Sequence, residues 1–193
     1  IEAAMIVKNI APGLNRDFDS EKFSRIDKKM WQNARDEAKD KIITGSKFEV
    51  WASDTDVQVL DIAYESALRA GVEENMRIFT GDARRIQKPD GIKGSIVCNP
   101  PYGERMGDIR QAEQLYRDIG KNFCLFDRWH VYIITSCDYF EKLYGRPADK
   151  KRKLYNGMIP CFLYQFFKPF EPKAAPSFKN TAKSKQNYER KKR

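Results

Sequence analysis

Apolar positions along this chain follow two spacings, and the change from one to the other marks out the elements. Over 57–70 (VQVLDIAYESALRA) they recur every three or four residues, the spacing of one helix face, and Gly71 stands where a helix C-cap belongs. The stretches 27–41 and 112–123 read as helices on the same ground. Residues 1–7 (IEAAMIV) read as a helix already in progress, without a cap or an initiator methionine, and Pro12-Gly13 punctuates its end. Short apolar runs at 47–53, 76–80, 94–98 and 129–136 read as strands. Near the C-terminus Leu154-Tyr155 and 160–167 flank Asn156-Gly157, a hairpin signal. Strands alternating with helices, closed by a hairpin, predict an α/β fold: a doubly wound, mostly parallel sheet with an antiparallel C-terminal hairpin. No internal repeat interrupts this order.

The most informative stretch is Asn99-Pro100-Pro101-Tyr102, directly behind the strand at 94–98. Two prolines cannot continue a strand ladder because neither has an N–H to donate. The strand must therefore stop at Asn99, and open α/β sheets bind ligands just past the carboxyl ends of their strands. An amide, two backbone carbonyls and an aromatic ring at such an edge suit a planar base with an exocyclic amino group. The oxygens accept its hydrogens and the ring stacks on its face. A Pro-Pro turn with a packed tyrosine is the structural alternative. Two further strands end in acids: Asp54 after the second strand position and Asp82, with Ala83, after the third. Asp54 can accept hydrogen bonds from both hydroxyls of a ribose. Asp56 caps the helix that starts at Val57. Asp82 reads either as a ligand-binding residue or as a turn residue after Gly81.

Bulk properties narrow the chemistry. The 193 residues suffice for a full domain with a core. No apolar run approaches a membrane span and no signal peptide is recognisable. Cys98, Cys124, Cys137 and Cys161 form no CxxC pair, so buried free thiols in a reducing cytoplasm are expected, and no metal site. His130, the single histidine, is read as structural. The net charge of +9 is uneven: residues 173–193 hold eight Lys or Arg and Glu189, a balance of +7, which leaves +2 for the other 172 residues. The tail, 171–193, is expected to be disordered, serving either as an RNA-binding arm or as a solubilising linker.

The run Asn99 to Arg105 (NPPYGER) carries a resemblance. It is similar to the signature of methyltransferases that modify base amino groups, and more closely to the bacterial THUMP-domain ribosomal RNA guanine-N2 methyltransferases, often labelled adenine-specific methylases. The resemblance extends over Ile1 to about Pro169 and includes Ala11-Pro12-Gly13-Leu14-Asn15-Arg16. It implies a Rossmann-like class I methyltransferase domain over 1–170, S-adenosylmethionine as cofactor, and RNA, 23S ribosomal RNA in particular, as partner. It assigns Asp54, Asp82, Ala83 and Asn99 to the cofactor and Asn99, Pro100, Pro101 and Tyr102 to the target base. Glu104 and Arg105 match the same motif, either ordering the loop and touching RNA or forming a solvated pair. The family's glycine-rich loop, which precedes a matching Ile-Glu-Ala-Ala, has no counterpart in this sequence. The expectation is that the chain is an N-terminally truncated domain lacking the first strand, inactive alone. Two other functions share the core motif: an adenine-N6 DNA methyltransferase and a non-catalytic RNA-binding module.

Overall fold

The structure, a computed structural model, describes residues 1–103 and 106–169. Glu104, Arg105 and the basic tail from residue 171 lie outside the described residues. The chain divides into two compact units, Ile1–Pro89 and Asp90–Arg193, and each is described by itself.

In the first unit the helices are α1 (Glu2–Val7), α2 (Lys28–Asp40) and α3 (Val57–Ala70), and the strands are β1 (Val50–Asp54) and β2 (Met76–Thr80). The strands pair in parallel, with Val50 opposite Met76 and Asp54 opposite Thr80. Helix α3 starts where Asp56, in extended conformation, accepts the Gln58 N–H at 2.8 Å, and it ends at Gly71. The side-chain cap satisfies one of the N–H groups that the first turn would otherwise leave open. The core is small: Ala4, Ala67 and Val72, with Met5, Phe48, Val50, Met76 and Ile78 packed around them.

The second unit holds β3 (Ser95–Cys98), α4 (Met106–Phe123), β4 (His130–Thr135), α5 (Phe140–Tyr144), β5 (Lys150–Asn156) and β6 (Ile159–Phe166). The strand order is β3-β4-β6-β5. β3 and β4 are parallel; β6 runs antiparallel to both β4 and β5. Hence β3, β4 and β5 point the same way, and their carboxyl ends share one edge of the sheet. Helix α4 buries Ala112, Tyr116, Ile119 and Phe123, a stripe at helical spacing. The stripe meets an aromatic cluster: Tyr116 packs edge-on to Phe140 at 5.2 Å between centroids, Phe140 lies 4.8 Å from Tyr164, and Tyr144 stacks on Phe166 at 4.6 Å. Gly120 admits this packing, since a Cβ there would stand 2.2 Å from the Tyr144 carbonyl oxygen.

The strands fall into two sheets, β1-β2 and β3-β4-β6-β5. Among the described residues no strand pairs with the second edge of β1 or of β3. The hairpin turn sits one residue later than the sequence suggests. Asn156 still pairs with Ile159, so Gly157 and Met158 form the loop. Its positive φ of 60° falls on Gly157, the first loop residue, as in a type II′ turn. Strand β5 begins at Lys150, four residues earlier than the apolar pair Leu154-Tyr155 suggests, because an edge strand tolerates charge on both faces. Cys124 is exposed rather than buried, since it lies past the end of the α4 stripe.

Candidate functional site

Each unit brings part of the expected residue set to the carboxyl edge of its sheet. In the first, parallel pairing puts the ends of β1 and β2 side by side, and the Gly81 N–H donates to the Asp54 carbonyl at 3.0 Å. Asp54 is exposed, and its Oδ1 accepts the Asp56 N–H at 3.0 Å. That bond fixes the carboxylate at the strand end and leaves acceptor positions open. Asp82 follows β2 and is more engaged. Its Oδ1 accepts the Arg84 N–H at 2.9 Å, and the Arg84 guanidinium clasps both carboxylate oxygens, with Nε at 2.9 and 2.8 Å. The guanidinium bonds and the backbone N–H of Arg84 hold the Asp82 carboxyl down at about 2. Ala83 is half-buried inside the turn closed by the Arg85 N–H on the Asp82 carbonyl at 2.8 Å.

In the second unit Asn99 to Tyr102 leave β3 at the shared edge, with Asn99 and Pro101 exposed, Pro100 buried and Tyr102 half-buried. Pro101 is tied back to the fold: the Tyr116 hydroxyl donates to its carbonyl at 2.7 Å. That hydroxyl also lies 3.0 Å from Thr135 Oγ1, which accepts the Cys137 N–H at 3.2 Å. Because the Tyr116 proton goes to Pro101, Thr135 is the donor between the two hydroxyls. A buried relay therefore runs from the Cys137 N–H through Thr135 and Tyr116 to the loop carbonyl, and every group in it is satisfied. Gly103 closes the loop at φ 72°, and a Cβ there would come within 2.7 Å of the Ile109 Cα at the start of α4.

The Tyr102 hydroxyl is buried against the β5–β6 hairpin, and among the described residues nothing meets it at hydrogen-bond geometry. Burial pushes its phenol above the usual tyrosine range; the Cys161 thiol adds to that rise and the Asn156 side chain opposes it. The ring thus lies with its polar end buried against the hairpin, beside Asn156 and Cys161. Cys98, just before the loop, has its thiol pushed up to about 11 by burial, which leaves it unsuited as a nucleophile.

Asp54 and Asp82 thus share an edge in the first unit, and Asn99, Pro100, Pro101 and Tyr102 share one with the hairpin turn in the second. Sequence reasoning missed Tyr116, Thr135 and Arg84. Tyr116 sits in an apolar helical stripe, where periodicity explains the ring and is silent on the hydroxyl. Arg84 carries a signal that could have been used: a cation two residues from a turn aspartate.

An α/β fold with an Asn-Pro-Pro-Tyr turn at a parallel strand's carboxyl end is that of a class I methyltransferase. The family model described as the RMKL-like methyltransferase domain matches residues 1–165, and the chain belongs to that family. YpsC of Bacillus subtilis (strain 168), provisionally named an RNA methyltransferase, is 42% identical over 176 residues, covering 89% of this chain and 44% of YpsC. The ribosomal RNA large subunit methyltransferase K/L of Legionella pneumophila (strain Lens) is 36% identical over 166 residues, covering 85% of this chain and 23% of that protein. Among solved structures SMU.472, described as a candidate methyltransferase complexed with SAH, superposes with a TM-score of 0.82 at 36% identity, over 89% of this chain and 45% of that one. The chain spans less than half the length of each of these proteins.

Proposed function

We propose that the protein carrying this chain transfers the methyl group of S-adenosylmethionine to an exocyclic amino group of a base in RNA, and that the base is guanine, modified at N2 in 23S ribosomal RNA. The observation that carries this reading is the Asn99-Pro100-Pro101-Tyr102 turn at the carboxyl end of β3, held from behind by Tyr116. Family membership, the RNA named for YpsC and the K/L protein, and the SAH of SMU.472 support it. A ribosomal RNA substrate favours a cytoplasmic protein.

The donor set fits the cofactor. The open acceptor positions of Asp54 suit a ribose diol, and Asp82, beside Ala83, offers a fixed anion to the adenine amino group once the half-exposed Arg84 side chain gives way. When bound, S-adenosylmethionine supplies an electrophilic methyl on a sulfonium. The remaining work falls to the chain. An amino nitrogen on a purine is conjugated into its ring and is a poor nucleophile. The Asn99 side chain and the Pro100 carbonyl accept its two hydrogens and orient its lone pair, which is electrostatic and orientational catalysis. Pro101 keeps its carbonyl on Tyr116 and so positions the turn. Tyr102, its hydroxyl buried against the hairpin, offers its ring to a base taken out of its stack.

The test uses the intact protein and 23S ribosomal RNA with a labelled methyl donor. Asn99→Ala abolishes transfer while the melting temperature stays near wild type, and nucleoside digestion of the wild-type product yields N2-methylguanosine. Asp54→Ala weakens SAH binding by roughly 1–3 kcal/mol in calorimetry. Transfer to adenine N6 in duplex DNA instead would overturn the RNA reading. RNA binding with no transfer to any nucleic acid would leave a binding module.

A further inference from the structure

The second unit carries an unneutralised basic strand beside the Asn-Pro-Pro-Tyr turn. Lys150, Lys151, Arg152 and Lys153 are consecutive, all exposed, and lie on β5, the outer strand of the sheet. Between residues 150 and 169 there are five Lys or Arg and no Asp or Glu. Among the described residues none of the four cations on β5 has an ion-pair partner. Two of them lie over aromatic faces: Lys151 Nζ is 3.9 Å from the Phe162 ring centroid and 4.8 Å from that of Tyr164, and Lys153 Nζ is 5.5 Å from that of Tyr155. A cation–π contact orients an ammonium without cancelling its charge. Farther along the strand Tyr155 is 65% exposed, and Met158 at the turn is 94% exposed. The strand leads to the active edge: Asn156 and Cys161, at the hairpin end, stand beside the Tyr102 hydroxyl.

We infer that β5 is the RNA-guiding surface of this domain, on which Lys150, Lys151, Arg152 and Lys153 hold backbone phosphates of a single-stranded segment and Tyr155 stacks on a base next to the one presented to Tyr102. This rests on the proposed RNA substrate and names the face that grips it. Charge complementarity commits the surface to a polyanion, and the exposed Tyr155 ring on the same strand selects single-stranded RNA over a protein's acidic patch, because stacking needs unpaired bases.

The test is fluorescence anisotropy of the intact protein with a labelled, mixed-sequence single-stranded RNA oligonucleotide, over a range of salt. Each phosphate contact contributes a slope of about −0.7 in log affinity against log salt for a single strand, so replacing all four β5 cations by glutamine flattens the slope by about three. A second variant, Lys151→Glu with Lys153→Glu, keeps the strand charged and weakens binding at low salt more than tenfold. Tyr155→Ala weakens binding about tenfold and leaves the slope unchanged. SAH binding, read by calorimetry, stays at wild type in all three and shows that the fold is intact. Neutralising Lys28, Lys29 and Lys39 on α2 controls for bulk charge. A wild-type slope in the four-glutamine variant, or an equal flattening in the α2 control, would overturn the inference while the proposed function stands. Wild-type protein that binds SAH but no RNA would overturn the RNA substrate itself.

Discussion

Tyr116 reaches the Pro101 carbonyl from 15 residues away in sequence and brings the Thr135 hydroxyl with it. Burial raises the Tyr116 phenol, so at neutral pH it remains a donor. Tyr116→Phe keeps the ring among its aromatic neighbours and removes only the hydroxyl. The Pro101 carbonyl then loses its donor and Thr135 its acceptor, a cost of about 1–3 kcal/mol. The expected outcome in the intact protein is a melting temperature lowered by a few degrees and a clear fall in kcat, with SAH affinity unchanged. A kcat at the wild-type level would remove Tyr116 from the positioning of the turn. Asp82 makes a pH prediction. Its folded pKa, about 2, lies below the ordinary carboxylate range, so its contribution to stability is present above about pH 4 and is lost as the pH falls through about 2. Wild type and Asp82→Asn should therefore differ in melting temperature at neutral pH and converge near pH 2. Carboxyl NMR should show the Asp82 midpoint rising toward its ordinary value in Arg84→Gln. Such details were unevenly legible. Asp56 reads as a cap because an Asx residue before an amphipathic run has one obvious role. The Arg84 clasp depends on a rotamer, which no spacing encodes.

Elements were legible where one physical term dominates. Helix α3 and strand β2 match their expected bounds of 57–70 and 76–80, because a clear apolar period and a C-cap glycine act together. Helix α5 went unread: five residues are too few to show a period, and tertiary packing of Phe140 and Tyr144 holds them. The N-terminal half of β5 was hidden by its charges, since its strand state comes from pairing with β6 rather than from its own pattern. Gly120, silent in sequence, sets how closely α4 and α5 approach. Gly120→Ala forces a methyl onto the Tyr144 carbonyl and should cost roughly 1–3 kcal/mol or more through overpacking. Urea denaturation reads this as a lowered midpoint. An unchanged midpoint would mean that α5 shifts at no cost.

At the scale of the whole molecule the two units differ in what holds them. The buried apolar residues of the first are Ala4, Leu60, Ala67 and Val72, while the second buries Tyr116, Phe123, Phe126, Phe140, Tyr144, Tyr164 and Phe166 among others. Aromatic side chains remove far more apolar surface from water than alanines do. Amides of β4 and β6 should therefore exchange with solvent more slowly than those of β1 and β2, as hydrogen exchange read by mass spectrometry will show. Equal protection would mean that the first unit draws its stability from something other than its own core. The α/β class was legible from the order of elements.

The row of cations on β5 also bears on solubility. An outermost strand exposes a line of unused N–H and C=O groups, which invites another strand to add on, and lysines along it are a common defence. A neighbouring copy approaching edge to edge would bring four positive charges against four of the same sign. A protein that grips RNA through this strand is thereby kept from polymerising through it, and bound RNA, by neutralising the row, would cover the same edge it disarms. The uncharged form, free of RNA, is the one exposed to strand-by-strand self-association, and concentrated solutions of the glutamine variant are where it should surface.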